Sequence, residues 1–307
     1  MVEIMTSAIV FGATGAVGSA LVLELVNNNI EVLVLCKPDS ERAKVISNHP
    51  LVTVMPCDLS TIGDLKNTTC KTYDAFFHFA WAGTTGEARN NMYLQNQNIK
   101  HSLDAVKAAK KFGCKTFVGA GSQAEYGRSD KPLTDKTPAF PENGYGAAKL
   151  CAGFMTRMLC QQLGIKHIWV RILSVYGPND SLNSMVMSTI QNLKQSVVPK
   201  LTKGEQMWDY LHSSDAARAF RLLAQKGKDG EIYVLGSGQE RQLRAFVTDI
   251  RDIVAPNMQL DMGAIPYAVN QVMYLCADIS KLQSDVGFEP QIKFTDGIIE
   301  LSKSLEI

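Results

Sequence analysis

The sequence predicts an α/β protein built on a doubly wound parallel sheet, with a smaller and discontinuous α/β region beside it. Two observations support this fold class. Short apolar runs alternate with helix-like stretches through the first half of the chain, as in parallel strands joined by crossover helices. A glycine-rich turn from Gly12 to Gly18 also separates the first strand from the first helix. The strand candidates are residues 8–11, 32–35, 52–55, 75–79, 116–120 and 168–172.

Two long helical stretches lie between these strands, at residues 90–112 and 145–163. Further along, residues 213–225 and 231–235 are expected to return to the main sheet as a helix and a strand. The chain is expected to leave the sheet after residue 177 and again after residue 236. The second region is therefore discontinuous. The predicted division is a main-sheet domain at residues 1–177 and 213–236, and a second region at residues 178–212 and 237–307.

Composition excludes several classes of function. The 307 residues are 46% hydrophobic, and 31 Lys and Arg balance 30 Asp and Glu, which gives no electrostatic case for nucleic acid or an anionic membrane. No apolar stretch reaches the ~20 residues of a membrane span, and the first residues lack a signal-peptide pattern. Seven scattered cysteines without a Cys-x-x-Cys pair indicate free thiols, and the five histidines show no metal spacing. We expect a cytoplasmic protein without a metal site.

The glycine-rich turn is typical of a dinucleotide site because a strand precedes it and a helix follows it. Gly12 permits the tight turn, Gly15 lets the backbone approach a pyrophosphate, and Gly18 lets the helix pack close to the strand. The helix N-terminus offers free N–H groups and a positive dipole end to the phosphates. The sequence therefore predicts a Rossmann sheet that binds NAD or NADP.

A tyrosine and a lysine stand one helical turn apart, at Tyr145 and Lys149, and project from the same helix face. An ammonium near a phenol stabilises the phenolate, so we expect the pKa of Tyr145 to fall below its reference of about 10. Ser122 ends a predicted strand, at the sheet edge where parallel sheets bind ligands. A hydroxyl there can hydrogen-bond a substrate oxygen.

Together these residues resemble an extended short-chain dehydrogenase/reductase, of the NAD-dependent epimerase/dehydratase kind that acts on nucleotide sugars. The resemblance runs nearly end to end, and the order and spacing of its segments make it specific. The segments are Gly12 to Gly18, Cys57-Asp58-Leu59, His78-Phe79-Ala80, Asn98, Ser122 to Gly127, Tyr145 to Lys149, Arg171 to Pro178, Asp209 to His212, and Asp278 to Lys281.

The resemblance implies a role for each matching residue. Tyr145 would be the general acid or base, Lys149 would tune it and bind the nicotinamide ribose, Ser122 would orient the substrate oxygen, and Asn98 would hold the geometry. From the residues alone, Asn98 would instead be a helix-surface amide. The implied cofactor-binding residues are Gly12, Thr14, Gly15, Ala16, Val17, Gly18, Lys37, Asp58, Leu59, Phe79, Ala80, Tyr145 and Lys149. The implied substrate-binding residues are Trp81, Thr84, Gln123, Ser174 and Trp208, and the second region would bind the substrate.

Two departures from the family bear on the substrate. Family members that dehydrate sugars carry Asp then Glu where this chain has Gln123 and Ala124, and an amide and a methyl group cannot supply the acid and base of an elimination. The family often has an arginine for the substrate diphosphate just before its Asp-Tyr pair, where this chain has Trp208. Indole cannot make a bidentate contact to phosphate, although it can stack on a base or sugar or pack in a core.

A third departure bears on the cofactor. The acidic residue that binds the ribose of NAD is expected at Cys36, where the chain has no carboxylate. Lys37 follows, Arg42 is close, and Asp39 is offset beyond a proline. Positive charge without a placed carboxylate favours the 2′-phosphate of NADP over NAD.

The leading hypothesis is an NAD(P)-dependent nucleotide-sugar epimerase or 4-ketoreductase. The alternatives are a redox sensor that binds NAD(P) without turnover and a reductase of a non-nucleotide carbonyl substrate. A homodimer is also expected, because the helix at residues 145–163 is apolar beyond the single stripe of a surface helix. The family pairs this helix with the one at residues 90–112, whereas the alternative is that the chain's own C-terminal region covers it.

Overall fold

The structure, a computed structural model, describes residues 5–38, 46 and 48–305. Its strands come from apolar runs that are buried on both faces of a central sheet, as expected for parallel strands between two helix layers. The strands are β1 (Ser7–Phe11), β2 (Glu31–Cys36), β3 (Val52–Pro56), β4 (Ala75–His78), β5 (Thr116–Ser122), β6 (Lys166–Ile172), β7 (Ser174–Tyr176), β8 (Lys200–Leu201), β9 (Met207–Trp208), β10 (Tyr210–His212), β11 (Glu231–Leu235), β12 (Arg241–Gln242) and β13 (Asp261–Met262).

The described helices lie on the two faces of this sheet and in the second region. They are α1 (Ala16–Asn27), α2 (Met92–Lys111), α3 (Gly144–Leu163), α4 (Met185–Lys194), α5 (Ser213–Lys226), α6 (Leu243–Val254), α7 (Ser280–Val286) and α8 (Phe294–Ser304). Helices α1 and α5 pack together on one face, and α2 and α3 pack together on the other. Three short 3₁₀ turns matter for the site: Leu59–Asp64, Gly86–Asn90 and Gln123–Glu125.

The central sheet has seven strands in the order β3-β2-β1-β4-β5-β6-β11, and every neighbouring pair is parallel. The direction of winding reverses between β1 and β4. In open α/β sheets the ligand crevice lies at such a reversal, outside the carboxyl ends of the strands. A ligand is therefore expected to bind beside the segments that follow β1, β4 and β5.

The second region packs beyond this edge around its own apolar core, to which α4, α6 and α8 contribute. Two-stranded ladders join β7 to β10, β9 to β12 and β8 to β13. The buried Asp209 carboxylate accepts hydrogen bonds from the backbone N–H groups of Ser237 at 2.7 Å, Gly238 at 3.1 Å and Ala277 at 3.0 Å. One side chain thus holds together three separate stretches of chain.

The fold confirms the predicted doubly wound sheet. All six strand candidates form, with ends that differ by at most two residues, and both long helices lie where the periodicity predicts them. The return to the sheet is also confirmed, since α5 packs on it and β11 pairs with β6. The division into two domains stays a prediction. Within the described ranges, no helix combines the length and apolar character needed to cross a membrane.

Candidate active site

Of the three glycines in the turn after β1, Gly15 alone leaves room for a ligand. Gly12 has φ +92°, and a Cβ there would lie 2.6 Å from the backbone nitrogen of Ala80. A Cβ on Gly18 would lie 2.3 Å from the Gly12 carbonyl oxygen, so both glycines serve close packing. A Cβ on Gly15 would meet nothing within 4 Å, and Gly15 precedes α1 without a side-chain cap. This open backbone at a helix N-terminus fits the diphosphate of a dinucleotide.

The remaining predicted cofactor residues lie along the same sheet edge. The N–H groups of Phe79 and Ala80 donate to the Phe11 carbonyl oxygen at 2.8 and 3.1 Å, which fixes the segment after β4 beside the glycine turn. Val17 packs against the core, while Thr14 and Ala16 are half-buried in and after the turn.

The end of β2 differs from the expectation of positive charge without a carboxylate. The Lys37 ammonium lies 3.7 Å from an Asp58 carboxylate oxygen, and both groups are exposed to solvent. Asp58 also caps the turn that begins at Leu59, and hydrogen bonds from the Ser60 backbone N–H and hydroxyl lower the pKa of its carboxyl group. Asp39 and Arg42, the other residues of that prediction, lie outside the described residues.

Tyr145 and Lys149 lie in the first turns of α3, which begins with Asn143 as its cap. The Asn143 side-chain oxygen accepts from the Gly146 N–H at 2.8 Å. The half-buried Tyr145 ring lies beside Ser122, the last residue of β5, whose hydroxyl hydrogen-bonds the phenol. The structure thus brings Ser122, at the end of β5, together with Tyr145 and Lys149, at the start of α3.

The expected low pKa of Tyr145 is wrong for the protein without ligands. Burial raises the pKa of this phenol, while the Ser122 hydrogen bond and the nearby Arg89 charge lower it without cancelling that effect. The Lys149 nitrogen lies 5.8 Å from the centre of the Tyr145 ring. The sequence places both groups on one face, but it does not reveal how strongly the packing removes them from water.

Lys149 is a buried cation with unusual neighbours. Its ammonium donates to the Ala120 carbonyl oxygen at 2.6 Å and lies 3.9 Å from the centre of the Trp81 ring. Burial lowers the pKa of Lys149 to about 7, although the charge of Glu125 acts in the opposite direction. The indole face and the carbonyl oxygen stabilise the ammonium only in part, because neither carries a full negative charge.

The segment that carries Trp81 is held by two buried amides of α2. Asn98 makes two hydrogen bonds with the backbone of Ala82, at 2.9 and 3.0 Å. Gln95 accepts from the Trp81 indole N–H at 2.9 Å and donates to the carbonyl oxygens of Gly83 and Ala88. Asn98 is therefore not the surface amide that the residues alone favour, because it holds the segment bearing Trp81.

A residue that the sequence analysis missed, Arg89, lies against the tyrosine. Its guanidinium carbon is 4.4 Å from the centre of the Tyr145 ring, and it donates to the Thr84 carbonyl oxygen at 3.1 Å. Thr84 and Trp81, both predicted substrate residues, are thereby close to the tyrosine, and the Trp81 ring is edge-on to that of Tyr145. No local pattern marks Arg89, since only the tertiary fold brings it here.

A second missed residue, Glu125, is fully buried behind Ser122. Its carboxylate accepts from the Ser122 N–H at 2.8 Å, from the Trp169 indole at 3.0 Å and from Arg171 at 2.7 Å. Ser122 in turn accepts from the Ala124 N–H at 3.2 Å, which completes a capping box. The Ser-x-x-Glu spacing is the signal that identifies such a box in a sequence. Gln123, a predicted substrate residue, lies half-buried in this turn.

The other two predicted substrate residues contact each other. The Trp208 indole N–H donates to the Ser174 hydroxyl at 2.8 Å. This bond uses the only polar hydrogen of the indole, so Trp208 can offer a ligand only its ring. Among the described residues, no hydrogen bond or ring contact links this pair to Tyr145.

The fold and the site together define a dinucleotide-binding α/β protein with a serine, tyrosine and lysine at the edge of its sheet. Residues 8–236 match the model of the NAD dependent epimerase/dehydratase family. The chain therefore belongs to that family and is an enzyme of it. No group of three or more metal-ligating side chains is found in the part of the chain that the structure describes.

Individual relatives are distant but align over nearly the whole chain. The dTDP-4-dehydro-6-deoxyglucose reductase of Escherichia coli is 22% identical and covers 97% of this chain and 96% of its own length. The dTDP-glucose 4,6-dehydratase DesIV of Streptomyces venezuelae, solved with NAD, has a TM-score of 0.86, 21% identity, and coverage of 97% and 96%. The UDP-glucose 4-epimerase of Thermotoga maritima has a TM-score of 0.85, 20% identity, and coverage of 97% for both chains.

The buried Lys149 leads to a prediction about the pH dependence of stability. Its pKa is about 7 in the native protein and about 10.4 when unfolded, so the native state binds fewer protons between these values. The cost of burying the ammonium is therefore complete below about pH 7 and declines as the pH rises toward 10. Replacing Lys149 by Met should stabilise the protein by about 3 kcal/mol more at about pH 6 than at about pH 9.

Urea unfolding at the two pH values measures this difference. Lys136→Met, at an exposed lysine, is the matched control and should change stability equally at both. An equal effect of Lys149→Met at both pH values would show that burial of the ammonium does not lower the stability of the protein by this amount.

Proposed function

We propose that the chain is an NAD(P)-dependent enzyme that moves a hydride between nicotinamide and a sugar carbon of a nucleotide sugar, as an epimerase or a 4-ketoreductase. The observation that carries the proposal is the grouping of Ser122, Tyr145 and Lys149 at the same edge of the sheet as the open backbone at Gly15. A site with a dinucleotide cradle and a proton donor at one sheet edge suits hydride transfer coupled to proton transfer.

The nicotinamide supplies or accepts the hydride when bound. The residues of this chain handle the proton and the geometry. The Tyr145 phenol would give its proton to a sugar carbonyl oxygen or, as phenolate, take one from a sugar hydroxyl. Ser122 would orient the same oxygen, while its backbone is fixed through Glu125. Lys149 would hold the cofactor ribose and, when charged, favour the phenolate.

The proposed substrate class has support from the relatives, since the reductase, dehydratase and epimerase compared here are named for dTDP or UDP sugars. Trp208 has no charge with which to bind a diphosphate, but its ring can stack on a base or sugar. This feature favours one alternative, the reduction of a carbonyl substrate without a nucleotide. A redox sensor without turnover is the other alternative, although such a protein has no need for the proton-transfer residues.

The role of Tyr145 is tested by replacing it with Phe, which removes the phenolic proton and keeps the ring. Turnover should fall by about 10²-fold or more because a general acid–base group is lost, while dinucleotide binding changes little. The measurement is product formation by mass spectrometry against a panel of nucleotide sugars. Tyr93→Phe, at a highly exposed tyrosine, is the control and should be neutral. Near wild-type turnover in Tyr145→Phe would refute the assignment.

We predict that the enzyme does not dehydrate sugars. Gln123 and Ala124 carry no acid or base, and the neighbouring Glu125 is committed to Arg171 and Trp169. Incubation with NDP-glucose and either dinucleotide should yield no 4-keto-6-deoxy sugar, with an authentic 4,6-dehydratase as the positive control. Clear formation of that product would mean that the acid and base come from other residues.

The cofactor is proposed to be NADP rather than NAD, because Lys37 lies where the adenosine ribose is expected. A contact to the 2′-phosphate is worth about 1–3 kcal/mol, or roughly five- to 150-fold in affinity. The Asp58 carboxylate beside Lys37 opposes this preference. Titration of the cofactor-free protein with both dinucleotides should show tighter NADP binding, which Lys37→Ala reduces and Lys71→Ala, at another exposed lysine, does not. Tighter NAD binding would overturn the choice and favour an epimerase.

A homodimer through α2 and α3 is proposed from the surface of these helices. Phe154, Met155 and Met158 are exposed on α3, so the described C-terminal region does not cover them. Met92 is exposed at the start of α2. Light scattering at micromolar concentration should give twice the 33.7 kDa chain mass. Met158→Asp should give a monomer, and Val269→Asp, at an exposed position outside these helices, should not. A wild-type monomer would refute the dimer.

The cytoplasmic location stays a prediction.

A further inference from the structure

Among the charged groups that face Tyr145, one stays charged at any pH the protein meets. The described groups are Arg89 from the turn before α2, Glu125 from the turn after β5, and Lys149 from α3, with the neutral Ser122 hydroxyl beside them. Glu125 is paired with the buried guanidinium of Arg171. Burial lowers the pKa of Lys149 to about 7, whereas a guanidinium keeps its proton.

Arg89 is also the cation that lies closest to the phenol ring. Its guanidinium carbon is 4.4 Å from the ring centre, against 5.8 Å for the Lys149 nitrogen. The Lys149 ammonium is nearer to Trp81, at 3.9 Å from that ring centre. None of the described carboxylates forms an ion pair with Arg89, so its charge is not cancelled locally.

The surrounding structure holds Arg89 in place. Its side chain donates to the Thr84 carbonyl oxygen, and the chain on either side is bound to other elements. Gln95 binds the carbonyl oxygen of Ala88, and the Asn90 side chain accepts from the N–H of Gly144, the first residue of α3. A Cβ at Gly144 would lie 3.0 Å from the Arg89 carbonyl oxygen, so the backbones of the turn and the helix approach closely.

We propose that Arg89 is a positioning residue for Tyr145, which fixes the ring and supplies the permanent positive charge that stabilises its phenolate. A cation over an aromatic ring favours the phenolate more than the phenol, because the phenolate carries a full negative charge. In this arrangement the phenolate keeps one positive neighbour even when Lys149 is deprotonated. The inference rests on the proposed function of Tyr145 as the proton donor and acceptor.

The test follows the ionisation of Tyr145 directly. A fluorinated tyrosine, whose phenol ionises at lower pH than that of tyrosine, is introduced at position 145 alone, and fluorine NMR follows its titration in the cofactor-free protein. Arg89→Gln should raise the ionisation midpoint by about one pH unit or more, because a close cation has been removed. Arg89→Lys, which keeps a positive charge, should give a smaller shift.

The matched control is Arg157→Gln, which removes an exposed arginine that lies over Phe154 on the same helix, 5.7 Å from that ring centre. It should leave the midpoint unchanged. A midpoint in Arg89→Gln equal to that of the wild type overturns the proposal, and if that variant instead raises the KM for substrate, Arg89 is a substrate contact. Arg89→Lys tests the same point if Arg89→Gln does not fold.

The titration needs neither substrate nor cofactor turnover, so it separates this inference from the proposed function. A shifted midpoint in a protein that converts no nucleotide sugar would support the role of Arg89 and reject the substrate class. An active enzyme with an unshifted midpoint would do the reverse. In the active enzyme, Arg89→Gln should also move the pH profile of turnover upward by a similar amount, an effect that a loss of folded protein does not produce.

Discussion

The buried ammonium of Lys149 is the constraint around which the site is arranged. A charge removed from water needs compensation, and here it receives a carbonyl oxygen from Ala120 and the face of the Trp81 ring. The Trp81 indole keeps its place because Gln95 binds it, and Asn98 fixes the next residue along the chain. Two buried amides of α2 therefore hold the segment that covers the lysine beside the tyrosine.

The charges around the tyrosine are divided between two layers. Behind Ser122, Glu125 and Arg171 form a buried ion pair that is hydrogen-bonded to Trp169, which makes it rigid and nearly neutral. In front, Arg89 and Lys149 add positive charge next to the phenol. Among the described residues, no carboxylate lies at ion-pair distance from either of them. Burial raises the pKa of Tyr145, and the positive charge of Arg89 acts against that effect without cancelling it.

Sequence reasoning succeeded where the signal is local. The strand and helix that flank Gly12 to Gly18, and the one-turn spacing of Tyr145 and Lys149, depend only on neighbours along the chain. It failed where the outcome depends on tertiary packing. In the sequence, 55 residues separate Arg89 from Tyr145, so no local pattern identifies their contact. The sign of the Tyr145 pKa shift was wrong because burial outweighs the nearby charges. Asn98 was expected to be a surface amide because the segment after β4, which covers it, is not its neighbour in the sequence.

The central claim is that this site transfers a hydride, rather than only holding a dinucleotide. The most direct measurement is the near-ultraviolet absorbance of the reduced nicotinamide when wild-type protein, loaded with oxidised cofactor, is mixed with individual nucleotide sugars in a single turnover. If the site transfers a hydride, at least one sugar should reduce the bound cofactor in the wild type. Cofactor that binds tightly but is reduced by no nucleotide sugar, and that in its reduced form is oxidised by no 4-keto sugar, would contradict it.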